Sequence, residues 1–197
     1  MVRHDVGACS VQGRGSIGFA RRLAVSLLLT MPAVRAAVVD DLPALTEIYN
    51  HYIVHTPITF DVAPYTVEQR RAWFDAHAAS GRHRLIVAID EAGSIAGFAT
   101  TSRWRPKAAY DTTVESSVYC HHDRRGRGIG RLLYESLFAA IAREDVHMIV
   151  AGATLPNEAS VALHQRMGFT QVGVFTGVGR KFDRFWDVAW FQRPLSF

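Results

Sequence analysis

The chain has 197 residues, 49% of them hydrophobic and 20% charged, with a formal net charge of +4. That length suits one domain with a full core, and the balance excludes a disordered chain. Arg3, Arg14, Arg21 and Arg22 against Asp5 place three of the four excess positive charges in residues 1–30, so the remainder is too near neutral for a general nucleic-acid-seeking surface.

Two cysteines, Cys9 and Cys120, lie far apart. They exclude a disulfide framework or a cysteine zinc site and fit a reducing cytoplasm. No apolar run reaches the ~20 residues that span a bilayer. Arg21 to Ala37, "RRLAVSLLLTMPAVRAA", resembles a signal peptide, and its arginine pair a twin-arginine signal. Cleavage near Ala36 would cut into the first strand, however. The expected organisation is a disordered extension over 1–30 and one domain over 31–197, starting at Met31.

Ala33 to Val39 reads as a strand. Asp40 or Asp41 can cap a helix with Pro43 in its first turn and Leu45, Ile48, Tyr49 and Tyr52 on its apolar side. A loop from His55 to Thr66 follows. Thr66 can cap a second helix, with Gln69 in its first turn, Trp73 and Phe74 inward, and Gly81 at its end. Leu85 to Ile89 and Ile95 to Trp104 form a hairpin about "DEAGS", and Val114 to Cys120 is a further strand. A helix runs to about Glu144 on a face of Ile129, Leu132, Leu133, Leu137 and Ile141. His147 to Thr154 is a strand and Asn157 to Met167 a helix. Phe169 to Thr176 and Phe182 to Phe191 form a closing antiparallel pair. The order βααβββαβαββ predicts an α/β (α+β) fold, one mixed sheet with helices on both faces.

Between the strand ending at Cys120 and the next helix lies "RRGRGIGRLL", Arg124 to Leu133. It lacks the GxxxxGK[ST] of a Walker loop and the GxGxxG of a dinucleotide fingerprint. Glycines permit positive φ and close backbone approach, and a helix start carries unpaired N–H groups and partial positive charge. Together they make an anion site. Arg124, Arg125 and Arg127 oppose the helix dipole, a conflict that a bound polyanion would offset. The alternative is a solvated basic turn.

The turn resembles the (Q/R)xxGx(G/A) motif of the GNAT superfamily of acyl-CoA-dependent N-acetyltransferases, with Arg125, Gly128 and Gly130 on its fixed positions. The resemblance covers about Ala33 to Leu195. "IYNHYIVHTPITFD", "AYDTTVESSVY" and "LPNEASVALHQRMGF" are similar to segments of phosphinothricin N-acetyltransferases and of the related methionine sulfoximine/sulfone acetyltransferases. Cys120, His122 and Arg124 depart from the Val, Pro and His of that pattern and leave the glycines in place. The resemblance implies a largely antiparallel sheet and acetyl-CoA as co-substrate; no metal is expected, for want of a full ligand set. It implies direct attack by the α-amine of a small amino-acid-like substrate, and a homodimer. Val118, Tyr119, Arg125, Gly126, Arg127, Gly128, Ile129, Gly130, Asn157 and Ser160 are the implied coenzyme contacts. Asn157 can also cap its helix.

Acetyl transfer needs a base for the ammonium, stabilisation of the thioester oxygen and a proton for the departing thiolate. Glu115 is the candidate base: alternation puts it with Ser117 and Tyr119 on one strand face, opposite Val114, Ser116 and Val118. A carboxylate in an apolar central strand has a raised pKa unless it is paired. A salt-bridged or solvated Glu is the other reading. His164 stands in a region where many family members place a tyrosine donor, and is the candidate acid; a packed structural histidine is the alternative. Phe60, Trp104 and Tyr110 are the expected apolar wall of the substrate pocket. Arg103, Arg105 and Lys107 are cations for an anionic substrate group. "GRKFDRFW", Gly179 to Trp186, closes the pocket or lines a dimer contact. His51 and His55 have helical zinc-ligand spacing but lack the Glu of HExxH and an evident third ligand.

The expected partner is a small-molecule amine, with neither nucleic acid nor membrane. Another amine (a polyamine or a protein N-terminus), a catalytically idle acyl-CoA binder and a nucleic-acid module are the competing readings.

Overall fold

The computed structural model describes residues 32–195; the extension over 1–30, Met31 and the last two residues lie outside it. Seven strands form one sheet: β1 (Ala33–Ala36), β2 (Leu85–Ile89), β3 (Ile95–Arg103), β4 (Thr113–Cys120), β5 (Met148–Leu155), β6 (Thr170–Lys181) and β7 (Arg184–Pro194). Their spatial order is β1-β2-β3-β4-β5-β7-β6, antiparallel throughout except for β4 beside β5. Four helices, α1 (Leu42–His55), α2 (Val67–Asp75), α3 (Ile129–Ile141) and α4 (Glu158–Arg166), complete the fold.

The period-2 pattern of β2 sorts its side chains between two cores. Ile86 and Ala88 pack under α3 with Leu133, Leu137 and Ile141. Leu85 and Val87 meet Leu45, Ile48 and Tyr52 of α1 on the other face. Thr66 and Gln69 form the expected capping box of α2: the Thr66 hydroxyl accepts from Gln69 N at 3.2 Å and Gln69 Oε1 accepts from Thr66 N at 2.8 Å. At the β2–β3 hairpin the Asp90 carboxylate accepts from Ala92 N and Ser94 N, each at 3.0 Å.

Some boundaries differ from the sequence expectation. β1 stops at Ala36, and a 3₁₀ turn over Val39–Asp41 follows. Asp41 caps no α1 donor. Its buried carboxylate instead takes both Arg35 guanidinium nitrogens, at 2.6 and 2.8 Å, and Val38 N at 2.8 Å. α2 ends at Asp75, and Gly81, with φ +86°, turns the loop beyond it. β6 runs on to Lys181 with breaks in register, and the final turn falls at Phe182 and Asp183.

Candidate active site

β4 and β5 pair only from Thr113–Glu115 to Met148–Val150. From Ser116 onward the two strands part, so β4 backbone groups along that edge lack a ladder partner in β5. The opening is a slot lined by Ser116, Ser117, Val118 and Tyr119 of β4, Gly152, Ala153 and Thr154 of β5, and Asn157, Ser160 and His164 of the α4 segment.

The glycine turn follows β4, beyond the last strand residue that lines the slot, Tyr119. Gly126 and Gly128 hold φ of +75° and +76°, and a Cβ on either would meet nothing within 4 Å. Glycine is needed there for backbone conformation, not for space. Gly128 is the N-cap of α3, with no capping side chain and no acidic residue in the first turn. The first N–H groups of α3 are therefore left for an outside acceptor. Gly130 has a different cause: its Cβ would stand 3.0 Å from Leu163 Cδ2, so its smallness lets α4 approach α3. The Ile129 side chain is buried beneath the turn. Arg125 and Arg127 are exposed, the Arg125 guanidinium 5.3 Å above the Tyr52 ring. Arg124 is tied to Asp90 at 3.0 Å, which joins the turn to the β2–β3 hairpin.

His164 is buried in the slot wall. Its Nδ1 lies 2.7 Å from the Ser160 carbonyl oxygen, an acceptor only, so Nδ1 carries the proton. Nε2, 3.0 Å from the Tyr134 hydroxyl, then accepts from it. Burial lowers the His164 pKa, opposed by the Ser160 carbonyl, and favours this neutral tautomer. Burial also pushes the Tyr134 phenol up, opposed by Ser116. Asn157 Oδ1 accepts from Ser160 N at 3.1 Å while the residue borders the slot, so it caps α4 and lines the opening at once.

Glu115 is the last β4 residue paired to β5. Among the described residues its carboxylate has no hydrogen bond or ion pair. Burial raises its pKa, partly opposed by the positive charge of Arg105. A carboxylate in that state is a stronger base.

Beside it lies a cavity of about 250 Å³ between α1, α2, β3 and β4. Its wall includes Tyr49, Asp61, Tyr65, Arg70, Ser102 and Ser117. Arg70, Tyr65 and Asp61 were not read from the sequence as site residues. Arg70 left a signal there: it stands three and four residues before Trp73 and Phe74, a charge in line with the inward face of α2.

The expected substrate residues take several positions. Trp104 and Tyr110 meet edge to face at 5.0 Å, with Arg105 5.2 Å over Trp104. Arg103 is spent on its own loop, donating to Arg105 O, Pro106 O and Asp111 Oδ1. Among the described residues Arg105 and Lys107 have no ion pair. Phe60 lies on the backbone of Gly179, where a Cβ would come within 2.1 Å of its ring. Buried Lys181 donates to Thr59 O at 2.8 Å. The β6–β7 hairpin thereby holds the loop between α1 and α2.

His51 stacks on His122 at 4.1 Å and 6°. In that pair the in-plane lone pairs run side by side and do not converge on one ion. His121, His122 and Asp123 do bring ligand atoms within 4.8 Å of one another, on the surface.

Residues 34–190 match the family model described as an acetyltransferase (GNAT) domain. A phosphinothricin N-acetyltransferase of Streptomyces coelicolor is 55% identical over 163 residues, 82% of this chain and 95% of that one. An L-methionine sulfoximine/L-methionine sulfone acetyltransferase of Pseudomonas aeruginosa is 38% identical over 83% of this chain and 95% of its own length. Among solved structures, a phosphinothricin acetyltransferase from Sinorhizobium meliloti in complex with acetyl-CoA superposes with a TM-score of 0.80, at 31% identity, covering 84% of this chain and 89% of that one. An acetyltransferase from Salmonella typhimurium with its cofactor acetyl-CoA gives 0.78 at 34% identity, covering 84% and 95%.

Proposed function

This chain belongs to the GNAT acetyltransferase family, and from that premise we propose that it moves the acetyl group of acetyl-CoA to the α-amine of a small amino-acid-like substrate such as phosphinothricin or methionine sulfoximine/sulfone. The observation that carries the reading is the parting of β4 and β5 between the uncapped start of α3 and the unpaired Glu115. Acetyl-CoA lays its pyrophosphate on the first N–H groups of α3, with Arg125 and Arg127 beside it. Its pantetheine arm enters the slot past Asn157 and Ser160, to Val118 and Tyr119.

Glu115 takes a proton from the ammonium, directly or through a water. The amine lone pair attacks the thioester carbonyl carbon, forming the C–N bond and moving charge onto the oxygen. As collapse breaks the C–S bond, the attacking nitrogen gives up its second proton to solvent; the thiolate takes the Tyr134 hydroxyl proton, and His164, hydrogen-bonded to that oxygen, passes a replacement proton back to it from solvent. No covalent enzyme intermediate is needed, because both reactants meet in one opening. Phe60, Trp104 and Tyr110 border the amine, and Arg105 and Lys107 face its anionic part. Arg103 serves the same region by bracing the loop.

The domain proper is residues 31–197, with 1–30 as an appended segment. Among the described residues no helix is long and apolar enough to cross a membrane, and the cysteine content supports a cytoplasmic setting. A homodimer is supported by Val172, Val174, Phe175, Val178, Phe182 and Phe185, all exposed on the β6–β7 hairpin.

Gly128→Val tests the turn. It forces a β-branched residue to positive φ, which costs roughly 1–3 kcal/mol or displaces the turn. The KM for acetyl-CoA should rise much more than the KM for the amine. An unaltered acetyl-CoA KM would remove the turn from coenzyme binding.

A further inference from the structure

Arg70 is 5% exposed. Its guanidinium lies between two rings, 4.3 Å from the centroid of Tyr49 and 3.8 Å from that of Trp73, with Tyr65 at 5.9 Å. Those rings satisfy the faces of the cation and leave its in-plane N–H groups unanswered. Nε and Nη2 are buried, and no atom of the described residues accepts from them. These two nitrogens form the edge on which a guanidinium takes an oxyanion through two parallel bonds. A buried charged group without such bonds is costly. Asp61 shares the cavity but does not bond Arg70; its Oδ2 accepts from the Tyr49 hydroxyl at 2.6 Å.

The cavity adjoins the candidate base. Ser102 in its wall is the β3 partner of Glu115. Ser117 is the next residue on that face of β4, about 7 Å along the strand. One fixed cation and one fixed anion in the wall suit a ligand carrying both an ammonium and an oxyanion. A polyamine would leave Arg70 facing another cation.

We propose that Arg70 is the specificity-determining residue for the acceptor amine, taking one of its oxyanions, carboxylate or phosphinate, on the Nε/Nη2 edge. The identity of the ligand rests on the acetyl-transfer reading above; the anion site itself does not.

The test uses binding and turnover side by side on the full chain. Binding is followed by the fluorescence of Trp73, which stacks on the guanidinium. The probes are L-phosphinothricin (carboxylate and phosphinate), L-methionine sulfone (carboxylate only) and the carboxamide of methionine sulfone (no anion). Wild type should bind the acids roughly tenfold to 100-fold more tightly than the amide, as charged hydrogen bonds allow. Arg70→Met should remove most of that preference while acetyl-CoA still binds, leaving what Arg105 and Lys107 supply by charge alone, and Arg70→Lys, which keeps charge but not the fork, should restore only part of it. If both acids lose affinity, the carboxylate is the group held; if phosphinothricin alone does, it is the phosphinate. No acid-over-amide preference in wild type, or an unchanged preference in Arg70→Met, would overturn the proposal. Failure of both variants to fold would assign Arg70 to the core and overturn it equally. Tight, Arg70-dependent binding without thiol release would sink the acetyl-transfer reading and leave the anion site standing.

Discussion

Glu115 shows how position changes the chemistry of one side chain. On an exposed strand it would be an ordinary solvated carboxylate. At the point where β4 loses β5 it is largely desolvated and unpaired, and its pKa rises. The turnover rate should therefore climb with pH through that raised value. Glu115→Gln should lower kcat at neutral pH by at least about tenfold, within the ~10²–10⁴ span of general-base terms, and flatten that limb. Coenzyme binding should persist. A wild-type kcat and pH profile in this variant would take Glu115 out of the mechanism. His164 calls for a different comparison. It is held neutral between the Ser160 carbonyl and the Tyr134 hydroxyl, so His164→Phe strands Tyr134 as well. Its pH–rate profile should change on the limb that Glu115→Gln leaves in place; an unaltered profile would make His164 a packing residue.

At the scale of elements, the hairpin and the substrate loop act as one unit. Gly179→Ala drives a methyl into the Phe60 ring, so that ring must leave its seat on the hairpin and loosen the loop over 56–66. The amine KM should rise severalfold with the acetyl-CoA KM little changed, since the loop lies away from the glycine turn. Equal KM values for both substrates in mutant and wild type would separate the hairpin from the pocket. The β1–α1 junction gives a stability prediction. Burial alone would raise the Asp41 pKa, but the Arg35 guanidinium and the Val38 N–H hold it below the usual carboxylate range. Its contribution is then fully present above the unfolded value of ~3.9 and is lost as pH falls through the depressed folded value. Asp41→Asn should be less stable than wild type at pH 7 and the gap should narrow toward pH 2, measured by denaturant midpoints. A constant gap would mean that the ion pair contributes nothing specific.

Much of this was legible in the sequence where the cause is local. The Thr66–Gln69 box, the "DEAGS" turn, the face of α3 and the alternation of β4 all follow from propensity and period. The end of α2 was not legible, because nothing in "DAHAAS" stops a helix; Gly81 is a sound stop signal set several residues too late. Arg70, Asp61 and Tyr134 were missed for another reason. Their roles come from what lies opposite them across the fold, and periodicity reports which side of an element a residue is on, not its neighbour. Arg103 and Arg124 look alike in the sequence to the free arginines and differ only through Asp111 and Asp90.

Among the described residues the fold is a two-sided sheet opened at its one parallel seam. One face offers the aromatic cavity with Arg70, the other the glycine turn at the start of α3, and the proposed reaction needs the gap between β4 and β5 for its two substrates to meet. A hollow of about 730 Å³ between α4 and the β6–β7 hairpin shares Asn157 with the slot. Its wall includes Phe185 and Trp186, which suits a second copy better than a substrate. Sedimentation should give a species of twice 21.9 kDa, and Phe175→Asp with Phe185→Asp should halve it; a wild-type monomer would contradict the dimer. The central claim is met most directly by acetyl-CoA turnover, read as free thiol release, across phosphinothricin, methionine sulfone, methionine sulfoximine, ordinary amino acids and polyamines. The account predicts release with the amino-acid-like amines, lost in Glu115→Gln. Release with polyamines alone, or with no amine at all, would contradict it.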